Sequence, residues 1–419
     1  MSQILQNGNS SFTAVIQDNI GLPDGAGTGN MAMIDQQADF SSIVSTSIGN
    51  LNTVDVTQTG MANTATISQT SFAVPTNGAT ATLTQTGMSN GTLINQADEL
   101  ADANVTQSGN TGTIQTDQSG GVISGSDIVA VQSGTTNSIG ATQVGDAHLA
   151  TITQNGGTSA GLTGTQTGSG STVTSLQTNT VNLSNITYVQ IDTNHVLDIV
   201  QRDASNTATS TQSGNAQDGL MRQRGLGMTM NLTQMNDGNQ AILRQLTGGA
   251  GSGMTVAQDG TSNFVNSRQT SIGSLVSISQ TGATNSSVSN QTADIGIVSV
   301  VQSGTSNTSN INQTDTDSGM AAAVAAVSQT GDMNSSVIQQ IDTAVVGSNG
   351  AILTVTGDMN GSRINQNGDS LTGTATITGD SNTSFIRQRG DTNRRATCEP
   401  YSASFVACGQ LLADPTYGG

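Results

Sequence analysis

The stretch Val54 to Thr70 reads VDVTQTGMANTATISQT. Val54, Val56, Ala65 and Ile67 alternate with polar residues, the period of two that turns one face of a β-strand inward. The same alternation asks for buried residues at positions 58 and 69, and both are glutamine. A buried amide without a partner costs about 1–3 kcal/mol, so one such residue is a flaw. Two of them, eleven residues apart, point to a rule.

The rule runs the length of the chain. Gln190, Gln201, Gln212, Gln223, Gln234 and Gln245 follow one another at eleven residues, and Gln258, Gln269, Gln280, Gln291, Gln302 and Gln313 form a second run. Gln6, Gln17, Gln36, Gln85, Gln96, Gln107, Gln118, Gln132, Gln143, Gln154, Gln166, Gln177, Gln329, Gln340, Gln366 and Gln388 extend the comb. It has 33 teeth, 30 of them glutamine. Ser47, Val355 and Ile377 fill the other three. A glycine often stands two after the tooth, as in Gly60, Gly87, Gly282 and Gly304. An asparagine often stands five after, as in Asn63, Asn90, Asn137, Asn285, Asn307 and Asn334.

The unit is therefore φ-x-φ-x-Q-x-G-x-x-N-x-φ-x-φ-x-Q. It predicts two short strands joined by a tight turn in which glycine supplies the backbone freedom. Helix is excluded by the period and by Thr, Ser, Gly and Asn throughout. Where the spacing lengthens, at 21–29, 70–78, 248–253 and 315–323, the extra residues read as loops outside a stack.

Composition agrees with a repetitive β structure. Only 9% of residues are charged and 2% aromatic, tryptophan and lysine are absent, and all ten basic residues are arginine. A core built on large apolar side chains is thus excluded. Polar bias of this kind leaves disorder or a regular repeat, and the period decides for the repeat. A net charge of −18 argues against a nucleic-acid partner. No apolar run is long enough for a membrane span, and no signal peptide is visible at the start, MSQILQNGNSS.

A two-strand unit cannot bury its inner face alone, so the fold class expected is all-β: a cross-β solenoid with two strands per turn. At a strand spacing of ~4.8 Å the comb gives roughly 16 turns and a column of roughly 80 Å. Identical glutamines then stack, and each amide can hydrogen-bond the next along the axis. The expected structural ladder comprises Gln58, Gln69, Gln85, Gln96, Gln107, Gln190, Gln201, Gln212, Gln223, Gln234, Gln245, Gln280, Gln291, Gln302, Gln313, Gln329 and Gln340. Asn63, Asn90, Asn137, Asn285, Asn307 and Asn334 are expected to stack beside it.

The unit QTGMANTATISQ (58–69) resembles the curlin repeat, Gln-x-Gly-x-x-Asn-x-Ala-x-x-x-Gln. QTGATNSSVSNQ (280–291), QSGTSNTSNINQ (302–313) and QTGDMNSSVIQQ (329–340) keep the Gln, Gly, Asn and Gln. The resemblance covers about residues 1–393. It implies a subunit of a curli-type functional amyloid: an extracellular, cell-surface fibre of biofilm matrix, with a secretion pore and a nucleator protein as partners. The chain departs from a curlin in its number of units, its inserted loops and its C-terminal end.

Two domains are expected: the repeat at 1–393 and a tail at 394–419, where the composition changes. The tail holds both cysteines, Cys398 and Cys408, which would close a small disulfide loop in an oxidising compartment. The alternative is two reduced thiols. Either way the segment would cap the column or dock on a neighbour. His148 and His195 each stand five after a tooth, in the place of asparagine, and read as substitute polar turn residues. Arg389-Gly390-Asp391 falls on the repeat and is explained by it. Asp315-x-Asp317-x-Gly319 lacks the later glutamate of a calcium loop. No catalytic triad, phosphate loop, metal set or cofactor motif stands out, so an enzyme is not expected.

The leading function is a structural subunit that self-assembles head-to-tail into a fibre, since unpaired strand edges template further strands. One alternative is a phage or cell-surface fibre that binds a receptor through its loops. A lesser one is an ice-binding solenoid, suggested by Thr-x-Thr at 57–59, 64–66, 80–82 and 151–153, although those rows are not kept from unit to unit.

Overall fold

The structure is a computed structural model of the chain. It describes residues 1–18, 29–49, 51–70, 78–97, 100–120, 125–178, 183–246, 251–315, 323–342, 348–390 and 394–398, with backbone alone at 315 and 394–398. The loops expected at 21–29, 70–78, 248–253 and 315–323 fall largely outside these residues. The chain divides into two compact units, Met1–Asn215 and Ala216–Gly419.

In the first unit successive strands go to opposite sheets. One sheet takes Met31–Asp39, Thr53–Met61, Thr80–Met88 and Asp102–Asn110; the other takes Ser42–Ile48, Thr64–Thr70, Gly91–Ala97 and Thr113–Ser119. Each strand pairs parallel and in register with the next of its own sheet: Gln58 beside Gln85, Gln85 beside Gln107, Gln69 beside Gln96. Two strands therefore make one turn of a β-solenoid. The second unit repeats the plan. Gly253–Thr261, Leu275–Ala283 and Ile297–Thr305 share one sheet, and Phe264–Gln269, Ser286–Gln291 and Thr308–Asp315 the other.

Parallel pairing follows from the period. Each strand carries small or branched apolar residues on one face, which a single turn leaves exposed and a stack covers. Val54, Val56, Ala65 and Ile67 are at most 2% exposed. The interior is thin, and it admits one large side chain only where the next rung yields. Tyr188 is the largest fully buried residue, and in register with it stands Gly164. A Cβ on Gly164 would lie 1.8 Å from the Tyr188 Cζ. No helix of the described residues is long and apolar enough to cross a membrane.

The glycine near the strand end occurs on both sides of the first unit. Gly60, Gly87 and Gly109 lie in strands of one sheet, whereas Gly145 and Gly168, which precede His148 and Ser171 by three residues, lie in strands of the other. In the second unit Gly260, Gly282 and Gly304 all lie in strands of a single sheet. Pairing continues past the compositional boundary at 394, for Arg394–Cys398 runs parallel to Leu371–Ala375.

Candidate functional site

Each glutamine tooth reaches its place because the alternation turns it inward. Gln58, Gln69, Gln85, Gln96 and Gln107 are at most 1% exposed. In the first unit Gln58 Nε2 donates to Gln85 Oε1 at 2.7 Å, Gln85 to Gln107 at 2.9 Å and Gln107 to Gln132 at 2.8 Å. The facing ladder runs from Gln69 to Gln96 at 2.9 Å and from Gln96 to Gln118 at 3.0 Å. Further along, Gln190 donates to Gln212 at 2.8 Å, and Gln201 accepts from Gln177 at 2.9 Å.

In the second unit Gln223 donates to Gln245 at 3.0 Å, Gln291 to Gln313 at 2.9 Å and Gln313 to Gln340 at 2.8 Å. Its other ladder passes through Gln234, Gln258, Gln280, Gln302 and Gln329 with bonds of 2.8–3.0 Å. The sense is the same in each of these pairs: Nε2 of the earlier rung donates to Oε1 of the later one. The second Nε2 proton crosses the core to a main-chain carbonyl of the facing strand, as from Gln280 to Phe264 at 3.1 Å and from Gln302 to Ser286 at 3.2 Å. An amide in this setting has an axial donor, an axial acceptor and a cross-core bond, so burial leaves nothing unsatisfied. The comb announces the axial bonds. The cross-core bond links residues 16 apart and has no sequence signature of its own.

The asparagines form the turn's own ladder. Asn63 Nδ2 donates to the Thr59 carbonyl at 2.8 Å and to the Gly87 carbonyl of the next turn at 3.1 Å, while its Oδ1 accepts the Asn90 N–H at 3.0 Å. Asn90 repeats this with Thr86 and Gly109, and Asn137 with Ser133 and Gly156. In the second unit Asn285, Asn307 and Asn334 do the same, each Oδ1 accepting the next rung's N–H at 3.0 Å. Glycine is required where the next rung stands close, whereas Asp192, Asp203 and Asn236 hold the same place with positive φ elsewhere. Gly60 has φ +106°, and a Cβ there would lie 2.0 Å from the Gly87 oxygen.

His148 and His195 occupy rungs of the other turn file of the first unit, with Ser126 and Ser171, and are at most 1% exposed. His148 Nε2 meets the Val144 carbonyl, four residues back, at 3.3 Å, and its Nδ1 accepts the Ser171 N–H at 3.4 Å. His195 Nε2 meets the Ile191 carbonyl at 2.6 Å. At His148 a neutral imidazole with the proton on Nε2 thus reproduces two bonds of an asparagine amide, the one to the carbonyl four residues back and the one from the next rung's N–H. Burial holds both imidazoles below their ordinary pKa, against the pull of their carbonyl bonds.

Three teeth depart from the rule, in two opposite ways. Ser47 is polar but short: its Oγ reaches Gln69 Oε1 at 3.1 Å, while Nε2 of Gln17, its register partner, is buried without a partner. Val355 and Ile377 are apolar and at most 1% exposed, and Gln329, the last amide before them, turns its Nε2 to Ser336 Oγ at 2.9 Å and the Thr308 carbonyl at 3.0 Å. Of the expected disulfide, Cys398 is described in backbone only and Cys408 lies outside the described residues. Asp391 of the Arg-Gly-Asp tripeptide and the Asp317 and Gly319 of the acidic loop lie outside them too.

Stacked two-strand turns closed by Gln and Asn ladders define a class, the amide-ladder β-solenoid. Residues 49–87, which hold Gln58, Asn63, Gln69 and Gln85, match the family model described as Curlin associated repeat. Residues 49–87 thus carry a curlin-type repeat, three strands of the stack. Comparison with the curated proteins gives no match.

Proposed function

We propose that the chain is a structural subunit that stacks head-to-tail into an extracellular, curli-like fibre of a biofilm matrix or cell surface. The observation that carries this reading is the uniform sense of the ladders, Nε2 to Oε1 in every rung of one file from Gln36 to Gln201 and from Gln223 to Gln388. A column with such polarity offers donors at one end and acceptors at the other. Head-to-tail contact continues the ladder, while head-to-head contact sets like groups together. Contacts of this heterologous kind do not close, and they yield filaments.

On this reading the strand edges template the next copy, the Gln and Asn ladders hold it in register, and the segment 394–419 caps or docks the column, with Cys398 and Cys408 as its disulfide candidates. A secretion pore and a nucleator would be the partners that the family suggests.

Incubating the purified full chain and following it by electron microscopy tests the proposal. Filaments one solenoid wide are expected, with a lag that sonicated fragments abolish. A chain that stays monomeric at high concentration, with or without fragments, overturns it.

A further inference from the structure

The residue just before each tooth faces outward, and in most of the molecule it is neutral: Thr57, Thr84 and Thr106 stand in one file of the first unit. In the second unit the same place carries Arg222, Arg244 and Arg268 on three successive turns, in register. Beyond them the file becomes Asn290 and Asn312, joined by a hydrogen bond of 3.2 Å. The repeat therefore does not need arginine there. Parallel in-register stacking sets the three guanidinium groups ~4.8 Å apart, and like charges so placed repel. Arg222 and Arg268 are exposed and Arg244 half-buried. Three of the ten arginines of a chain of net charge −18 are thus gathered in one file.

The same unit carries the complement. Asp332, Asp358 and Asp380 each follow a turn glycine on three successive turns. One carboxylate oxygen of each is fixed on main chain: Asp380 Oδ1 accepts the Asp358 N–H at 2.9 Å, Asp358 Oδ1 the Asp332 N–H at 2.8 Å and Asp332 Oδ1 the Thr305 N–H at 2.7 Å. The file is thereby held straight, with Asp380 exposed and the other two half-buried. Both files have the repeat of the stacked strands, so three guanidinium groups meet three carboxylates without adjustment.

We propose that the arginine file of one copy docks on the aspartate file of a second copy, which associates columns side by side. The word "column" rests on the fibre reading above; the pairing of two copies does not. Because the two files lie on different faces, the contact is heterologous and continues from copy to copy. Each pair of exposed charges adds little, and a file of three adds cooperatively and with strong dependence on salt.

The test uses the full chain and two neutralised variants: Arg222→Gln with Arg244→Gln and Arg268→Gln, and Asp332→Asn with Asp358→Asn and Asp380→Asn. Asparagine keeps the Oδ1 that the turn uses, and circular dichroism confirms the fold of each variant. Sedimentation and electron microscopy follow association at about 0.01 M salt, where the screening length is about 30 Å, and at about 1 M, where it is about 3 Å. The expected result is side-by-side association of the unchanged protein at low salt only, weakened about tenfold or more in each variant alone. An equimolar mixture of the two variants should restore pairing, since one supplies the arginines and the other the aspartates, and should stop at pairs, since neither carries both files. Association that survives either triple change, or that ignores salt, overturns the proposal. So does association that appears only with an added polyanion such as heparin and persists in the aspartate variant. Side-by-side pairs without filaments would instead defeat the fibre reading and leave this one standing.

Discussion

One of the two turn files is built differently in the two units. In the second it is almost uniform: Gln217 Oε1 accepts the Asn239 N–H, and Asn263, Asn285, Asn307, Asn334, Asn360 and Asn382 follow. In the first it is patched. Ser126 Oγ accepts from His148, His148 from Ser171 and Ser171 from His195, over distances of 3.3–3.4 Å against 2.8–3.0 Å between the asparagines. What the position requires is an acceptor for the next rung and a donor for the carbonyl four residues back. Asparagine meets both at good length; histidine meets both at the cost of a fixed protonation state; serine meets them incompletely. The column selects bonding capacity, and residue type follows from it.

The comparison breaks if the two kinds of rung respond alike to truncation. Asn307→Ala removes the acceptor of the Asn334 N–H and the donor to the Gly331 carbonyl, two buried main-chain groups. A loss of about 3 kcal/mol is expected, read from urea denaturation of the full chain. His148→Ala strands the Ser171 N–H and the Val144 carbonyl, whose bonds are long already, and about 1 kcal/mol is expected. Equal losses would mean that neighbouring turns, rather than the ladder, set the stability of this column.

Acid is the second way to separate the units. An unfolded imidazole titrates near pH 6.5. The folded His148 and His195 lie lower because burial disfavours their charged form. Between the two values the unfolded chain binds more protons, so stability falls as the pH drops below about 6.5. Protonation also turns Nδ1 of His148 from acceptor to donor, facing the Ser171 N–H. Asp146 and Asp192, close by, favour the charged imidazoles and soften the effect. Asp127, raised by burial and by Asp102, acts in the opposite sense but in the carboxylate range. Hydrogen exchange at pH 7.5 and 5.5 should therefore show faster opening around residues 126–195 and little change in the second unit. His148→Asn with His195→Asn should remove the difference.

Much of this was legible in the sequence because a repeat prints the same constraint many times. The Gln comb gave the inward face, the parallel register and the axial ladder, and the position five after the tooth marked His148 and His195 as stand-ins for asparagine. Other features leave no trace of that kind. The bond from Gln280 to the Phe264 carbonyl depends on which strands face one another across the core. The outward file that joins Asn290 to Asn312 carries Arg268 one turn earlier, and the matching place in the first unit carries Thr57, so no single letter recurs. The partnership of Gly164 with Tyr188 is one of size between rungs 24 residues apart, and only the register reveals it.

The smallest expected effect concerns Ser47 and moves the first unit toward uniformity. Its neighbours show what the position accepts: Gln69, the next rung, is a fully buried glutamine in the same file, so the cavity cross-section suits the longer side chain. Ser47→Gln would give Gln17 Nε2, now buried without a partner, an axial acceptor, and would hand Gln69 Oε1 an amide donor in place of a hydroxyl. One satisfied amide contributes about 1 kcal/mol, less the rotamer freedom that a glutamine loses on burial. A gain of about 0.5–1 kcal/mol in denaturation is therefore expected, together with slower exchange of the strand Phe12–Asp18. Ser47→Val supplies the contrast. It fills space as Val355 does, but Gln17 then has no equivalent of the Ser336 hydroxyl that receives Gln329, so the variant should gain nothing. If valine stabilises as much as glutamine, packing alone decides what a tooth can be, and the amide ladder is a consequence of the column rather than one of its supports.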